Sequence, residues 1–463
     1  MNDNKDVVDK DVVDKDGLQT SLRTPEMRRI LTSSFVGSAI EFYDFILYAT
    51  ASSIVFANLF FAGLGPGLSL FASFSTLAAG YLARPLGGVI FGHFGDKVGR
   101  KKALIVSMVM MGAVTVIIGL MPPTASIGMV APASLFTLRI IQGIAVGGEW
   151  GGAALMALEH APKARRGLAA AFANAGGPAG AILATLILSL TATLTGDNFV
   201  TWGWRLPFLL SAVLIVVGLV IRLKVSETPA FQQLEEESEE RKVPLLTVFK
   251  NYKRQVLIAL FATMTIYVTQ GLTTVWGVSV AVAAGEDKSD VLNWKAVGAL
   301  TTLIVTFIIA RLSDRIGRKR SLVGAHVVAA VLAVPIVLLI VSGELNQYAA
   351  AIILGNGIVQ GLCYGPIAAY VSELFPPAVR YTGASVGYQL AAALGAGLSP
   401  MIASALILVP GVGSYLIGGV WALFAVVGAI AVMASRPFSE SAPNPAASVV
   451  EHDIEPVAQT HGK

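Results

Sequence analysis

The sequence is poor in charge and nearly without cysteine. Only 13% of its 463 residues are charged, where a soluble domain carries about 25%. With 55% hydrophobic residues and a mean hydropathy of +0.71, it cannot cover a water-facing globule. It has the composition of a polytopic membrane protein. Cys363 is the single cysteine, which excludes an internal disulfide and a cysteine metal cluster. His93 and His326 stand alone, without metal-ligand spacing, so no metal is expected. The chain has no phosphate-binding loop of the P-loop type, which argues against ATP as the energy source. No enzymatic activity, cofactor or nucleic-acid partner is expected, and the chain is expected to be a monomer. The first thirty or so residues are polar and hold the tandem repeat KDVVDKDVVDKD (Lys5–Asp16). They read as a disordered tail rather than as a cleavable signal peptide.

What the chain has in quantity is apolar runs long enough to cross a bilayer, which takes about 20 residues. Six fall at about 30–58, 68–94, 102–121, 131–158, 168–194 and 203–223. A charged linker containing EEESEERK (Glu235–Lys242) follows, and six more fall at about 254–283, 292–311, 320–341, 347–373, 380–409 and 413–435. The expected architecture is all-α, with twelve transmembrane helices in two six-helix bundles. The domains are a tail over 1–29, a bundle over 30–223, a linker over 224–253, a bundle over 254–435 and a tail over 436–463. The loops DKVGRKK (Asp96–Lys102), KARR (Lys163–Arg166) and RLSDRIGRKR (Arg311–Arg320) and the linker fall on one side. The opposite connections have few basic residues, such as Arg205 and Lys288. The positive-inside rule places the basic loops and both termini in the cytoplasm.

The halves resemble each other beyond hydropathy. GDKVGRKK (Gly95–Lys102) after the second span matches SDRIGRKR (Ser313–Arg320) after the eighth. Glu159, Pro162 and Arg166 recur at identical spacing as Glu373, Pro376 and Arg380. Two matches in the same order argue for a duplicated bundle, the basis of transporters whose substrate site lies between parallel halves.

With these residues the chain resembles the major facilitator superfamily along nearly its whole length. GHFGDKVGRKK (Gly92–Lys102) is similar to the superfamily's loop between helices two and three. LRIIQGIAVGG (Leu138–Gly148), with Arg139, Gln142 and Gly143, is similar to its helix-four signature. EFYDFILY, GGEWGGAALMALEHAP and RYTGASVGYQ resemble the metabolite:proton symporter group, closest to its shikimate-type, organic-acid branch. The resemblance implies a latch of Asp96, Arg100, Glu159 and Arg166 that closes the cytoplasmic side. Its second-half counterpart is Asp314, Arg318, Glu373 and Arg380. That copy starts with Ser313 where glycine is usual, which predicts a weaker gate. A solvated surface cluster is the bland alternative.

Five ionisable residues interrupt the first-half spans: Glu41, Asp44, Arg84, Arg139 and Glu149. Each costs about 2.5–3.5 kcal/mol at membrane depth even on the lenient insertion scale, so such groups face a partner or a wet cavity. The second half reads as having none in its interior. It offers Tyr267, Gln270, Trp276, Gln360, Tyr364, Tyr388 and Gln389 instead. Glu41 and Asp44, at i and i+3, share one face of a helix. Counting residues places Glu41, Arg84 and Glu149 at one depth. Three acids against two arginines leave one acid over. A carboxyl group out of water holds a proton more readily, and an arginine whose acid is neutralised can bind an anion through paired N–H donors. Asp44, Glu41 and Glu149 are therefore the proton-coupling candidates. Arg139 is the favoured substrate seat, with Arg84 in a network with Glu149. Gln142, Asn174, Gln270, Trp276, Tyr364, Tyr388 and Gln389 complete the candidate substrate site. Structural ion pairs are the bland reading for Arg84 with Glu149 and for the acid pair. The glycines of GGEWGG and NAGGPAG read first as close helix approaches, with a kink at Pro178.

The expected function is proton-driven import of a small organic acid by alternating access. The alternative is a zwitterion such as proline or betaine, its cationic end seated by Asp44 and Trp276. A sensor on a transporter scaffold would need an added signalling domain.

Overall fold

The computed structural model describes residues 25–98, 100–147, 157–158, 161, 163–223, 244–376 and 379–436. Among these there is no strand, and twelve helices carry the fold. The first six are α1 (Pro25–Ile54), α2 (Pro66–Val98), α3 (Arg100–Leu120), α4 (Val130–Val146), α5 (Arg166–Thr195) and α6 (Arg205–Leu223). Then come α7 (Lys253–Ala283), α8 (Lys288–Ile316), α9 (Arg318–Val341) and α10 (Leu345–Glu373). Helix α11 runs through Arg380–Ala392, Ala393–Gly397 and Ser399–Leu406, and α12 spans Gly413–Ala434.

Their burial pattern is that of membrane helices. On α8, Leu300, Ile304, Ile308 and Leu312 recur every four residues and are exposed, while Thr302, Thr306 and Lys295 are buried. One helix face thus turns apolar side chains outward and polar ones inward, the reverse of a water-soluble helix.

Within the first half, α1 packs on α5, α2 on α4 and α3 on α6; within the second, α7 packs on α11 and α12, and α9 on α12. Two seams join the halves, α5 against α8 and α2 against α11. Adding six to each helix number turns one seam into the other, so the duplication is visible in the packing itself.

Glycines set the closest approaches, as the sequence suggests. A Cβ on Gly143 would stand 2.0 Å from the Gly80 carbonyl oxygen, and one on Gly87 1.9 Å from that of Ile144, so α2 and α4 touch backbone to backbone. Gly176 and Gly180 bring α5 close to α1, where an added Cβ would stand 2.7 and 2.3 Å from the Phe35 and Ala39 carbonyl oxygens. Three helices of the second half contain wide π turns, at Gly271–Trp276, Ile353–Gln360 and Ala393–Gly397. Such turns are rare and collect at functional sites.

One expectation fails here. The second-half interior does contain a charge, Lys295, 2% exposed on α8. The helix begins at Lys288, a turn before the expected start, because Asp287 caps it by accepting from the Ser289 and Asp290 amides at 2.8 and 3.2 Å. Lys295 is thereby about 10 Å into the helix rather than near its mouth.

Gly143→Leu should block the α2–α4 contact and cost about 3 kcal/mol or more, at or beyond the upper end for overpacking. Its melting temperature in detergent should fall by several degrees. Gly419→Leu on α12, where nothing lies within 4 Å of an added Cβ, should melt like the parent. Equal melting of both variants would contradict the packing described.

Candidate functional site

Four of the five first-half charges lie in the described residues, and aromatic rings hold them together. On α1, Glu41, Phe45 and Tyr48 follow one helix face. Arg84 of α2 approaches Glu41 at 3.9 Å, with both side chains at most 4% exposed. The Arg84 guanidinium also lies 5.0 Å from the Phe45 ring and 5.5 Å from that of Tyr81. Arg139 of α4 sits 4.0 Å from both the Phe45 and the Tyr48 ring. Phe45 therefore faces two guanidinium groups, each attracted to the ring's π density. Asp44 accepts from Ser211 of α6 at 2.6 Å.

Arg139 donates to Gln142, whose amide donates to Thr115 at 2.7 Å. Its stem lies against Gly80 of α2. All these partners belong to the first half. Arg139 and Gln142 do not line the cavity between the halves. Arg84 is paired with Glu41; Glu149, its expected partner, lies outside the described residues.

The cavity between the halves has a volume of about 20 Å³, room for about one water. Its first-half wall is Phe42 and Ile46 of α1 with Gly177, Pro178 and Ala181 of α5. The second half supplies Gln270 and Thr274 of α7, Lys295, Ala299 and Thr302 of α8, and Asn356, Gln360 and Tyr364 of α10. Asn356 donates to Gln360 at 2.6 Å. Tyr267 and Tyr388 meet edge to face with ring centres 5.3 Å apart, and their hydroxyls cluster with that of Tyr364. Tyr364 is within electrostatic reach of both Arg84 and Glu41, which connects the cavity to the first-half ion pair.

Lys295 is the buried cavity-lining charge that sequence reasoning missed. Its ammonium donates to Thr50 of α1, across the halves. The helix-capping signal at Asp287 was the clue that would have placed it at depth. Of the other candidates, Asn174 donates to the Tyr364 carbonyl at 3.0 Å, bridging α5 and α10. Gln389 reaches the Gly147 carbonyl at 3.5 Å, bridging α11 and the end of α4. Trp276 is 1% exposed and packs in the apolar core rather than at the cavity.

Polar contacts join the halves at both ends of the path between them. At the end bearing the basic loops, the Asp314 carboxylate accepts from the Gly167 and Leu168 amides at 3.0 and 3.1 Å, capping α5 from α8. Arg318 holds Asp314 at 3.3 Å and Glu373 at 2.7 Å, and Arg166 and Arg380 lie within electrostatic reach of Glu373. The second-half copy thus makes direct cross-half bonds, although Ser313 stands in for glycine. In the first-half copy, Glu159 and the side chains of Asp96 and Arg100 lie outside the described residues. At the opposite end, Ser189 donates to Asn293 at 2.7 Å and Ser53 to the Val275 carbonyl at 3.1 Å.

Two pseudo-symmetric six-helix bundles with a small cavity between them agree with a match to the family model of the Major Facilitator Superfamily, over residues 35–400 and 296–458. The chain belongs to the major facilitator superfamily. It is 38% identical to the inner membrane metabolite transport protein YhjE of Escherichia coli K12, over 81% of this chain and 87% of that one. It is 35% identical to the shikimate transporter of the same strain (84% and 89% covered) and 32% identical to its proline/betaine transporter (82% and 78%). Among solved structures, a partially occluded inward-open form of the xylose transporter XylE from E. coli shares the fold. Its TM-score is 0.68 at 16% identity, covering 87% of this chain and 96% of that one. The protein is a multi-pass membrane transporter of small metabolites, not an enzyme.

The Asp314 contact predicts a conformational effect. Asp314→Ala removes both cross-half bonds and should weaken the closed basic-loop end by about 1–2 kcal/mol, a typical conformational coupling. Spin labels near Arg165 and Arg320 should then report longer distances than in the parent. Unchanged distances would show that Asp314 does not hold this end shut.

Proposed function

We propose that this transporter is a proton-coupled symporter that imports a small organic acid across the cytoplasmic membrane by alternating access. The observation that carries the reading is the Glu41–Arg84 pair, at most 4% exposed inside the first half. The basic loops and both termini face the cytoplasm, following the positive-inside rule. The Asp314 contact then closes the inner side.

Glu41 and Asp44 share the coupling proton on one face of α1, with Glu149 as a third acid of the same bundle. Protonation of Glu41 removes the charge that Arg84 pairs with at 3.9 Å. A buried guanidinium without a counter-charge is unfavourable by several kcal/mol. An anion entering the cavity restores the lost negative charge to the interior, so protonation and anion entry favour each other. Loss of the proton to the cytoplasm restores the Glu41–Arg84 pair and displaces the anion. Proton and substrate are thereby taken up and released together.

The test is uptake into proteoliposomes with an imposed proton gradient, across shikimate, quinate, dicarboxylates, citrate, aromatic acids and betaine. Proton-driven accumulation of an acid is expected. Glu41→Gln should lose accumulation against a gradient and keep counterflow, which requires binding and isomerisation but no net proton movement. Accumulation that survives Glu41→Gln but not Asp44→Asn would move the coupling role to Asp44. Acid uptake indifferent to the proton gradient would contradict the proposal.

A further inference from the structure

Lys295 has no role in the coupling just described, yet it occupies an expensive position. It is 2% exposed, lies at membrane depth and lines the cavity. Its hydrogen-bond partner is a neutral hydroxyl, that of Thr50. Among the described residues no ion pair joins it to an acid, and no Asp or Glu lines the cavity. A buried ammonium held by one hydroxyl lacks the counter-charge that such groups normally find. A second observation points the same way. Gln270 lines the same cavity, is 7% exposed, and its side-chain oxygen has no hydrogen-bond partner. Buried polar atoms are nearly always bonded, and an exception calls for a missing partner.

We propose that Lys295 is a carboxylate-binding residue, and that the cavity takes a net-anionic, hydroxyl-bearing monocarboxylate rather than a zwitterion. The assignment rests on the organic-acid reading above and names the class of acid. The substrate's carboxylate replaces the Thr50 hydroxyl at the ammonium as a charge-assisted bond. The Gln270 oxygen accepts from a substrate hydroxyl, with the Asn356–Gln360 pair and Tyr364 as neighbouring neutral partners. Phe42, Ile46 and Thr50 follow at i, i+4 and i+8 along α1. Lys295 thus caps the end of the cavity remote from the basic loops, the end from which an imported acid arrives. A zwitterion brings a cation into the same space, where it meets Lys295 and no lining carboxylate. Asp44 bonds to Ser211 and Trp276 lies in the core, so the ammonium seat considered for betaine is not assembled at this cavity. At about 20 Å³ the cavity is closed around no more than about one water. The proposal therefore requires the halves to part on binding.

The test compares shikimate and quinate with their methyl esters and with glycine betaine, as binding to the purified full-length protein. The parent should bind at least one acid, prefer it to its ester at least tenfold, and bind betaine weakly. Lys295→Met should reduce the acid-to-ester preference at least tenfold while ester affinity stays within about threefold. It should melt at or above the parent's temperature, because an apolar chain of similar volume replaces a poorly compensated buried charge. Lys295→Arg should keep most of the preference. A preference that survives Lys295→Met overturns the assignment. So does a misfolded or clearly destabilised Lys295→Met, which would make the lysine structural, and so does a parent that binds betaine or none of the acids. Selective acid binding together with transport that ignores the proton gradient would leave this assignment standing and overturn the coupling proposal instead.

Discussion

A charge inside a membrane protein has to be compensated where it sits, because neither lipid nor bulk water will do it. Much of the described interior follows from that constraint. Arg84 and Arg139 share the Phe45 ring, which offers π density to both guanidinium groups. Glu41 supplies the carboxylate for Arg84, and Gln142 anchors Arg139 and passes its own bond on to Thr115. Helices α1, α2, α3 and α4 are thus tied by one polar network as well as by glycine contacts. Removing one member of a buried pair is typically worth 3–5 kcal/mol, so the network stiffens the first half as one body.

The second half is built differently. Its cavity face is mostly neutral amides, hydroxyls and phenols, and three of its helices carry wide turns. The seams between the halves are held by small polar contacts at both ends, Asp314 with the α5 amides at one and Ser189 with Asn293 at the other. A few such bonds are enough to close a path, and few enough to break in turn. Alternating access needs that balance, since the two states must differ by only a few kcal/mol.

Much of this was legible in the sequence, and the gaps have physical causes. Twelve spans emerge from hydropathy because apolar length is dictated by bilayer thickness, and the duplicated loops announce the two bundles. Counting residues gives Glu41 and Arg84 one depth but not their pairing: the sequence sets Arg84 with Glu149, and the structure sets it against Glu41. The placement of Arg139 is another matter: depth says how far in a side chain lies, not which way around the helix axis it points. Rings at Phe45 and Tyr48 hold it inside its own bundle. Lys295 escaped because it lies close to an apparent span boundary, where lysines usually reach back to water. Only the capping of α8 by Asp287 moves that boundary outward. Trp276 has a composition suited to a binding site and a position in the core, a distinction that only packing can make.

The central claim is that neutralising the buried carboxylates of α1 and admitting an anionic substrate offset each other in the charge of the interior, so that anion binding and proton binding go together. The most direct measurement is the pH change when shikimate is added to the concentrated, purified transporter in nearly unbuffered solution. The account predicts proton uptake on binding, saturating with the ligand, strongly reduced in Glu41→Gln and absent when Asp44→Asn is combined with it. Substrate binding without proton uptake, or uptake unchanged in the doubly substituted protein, would contradict it.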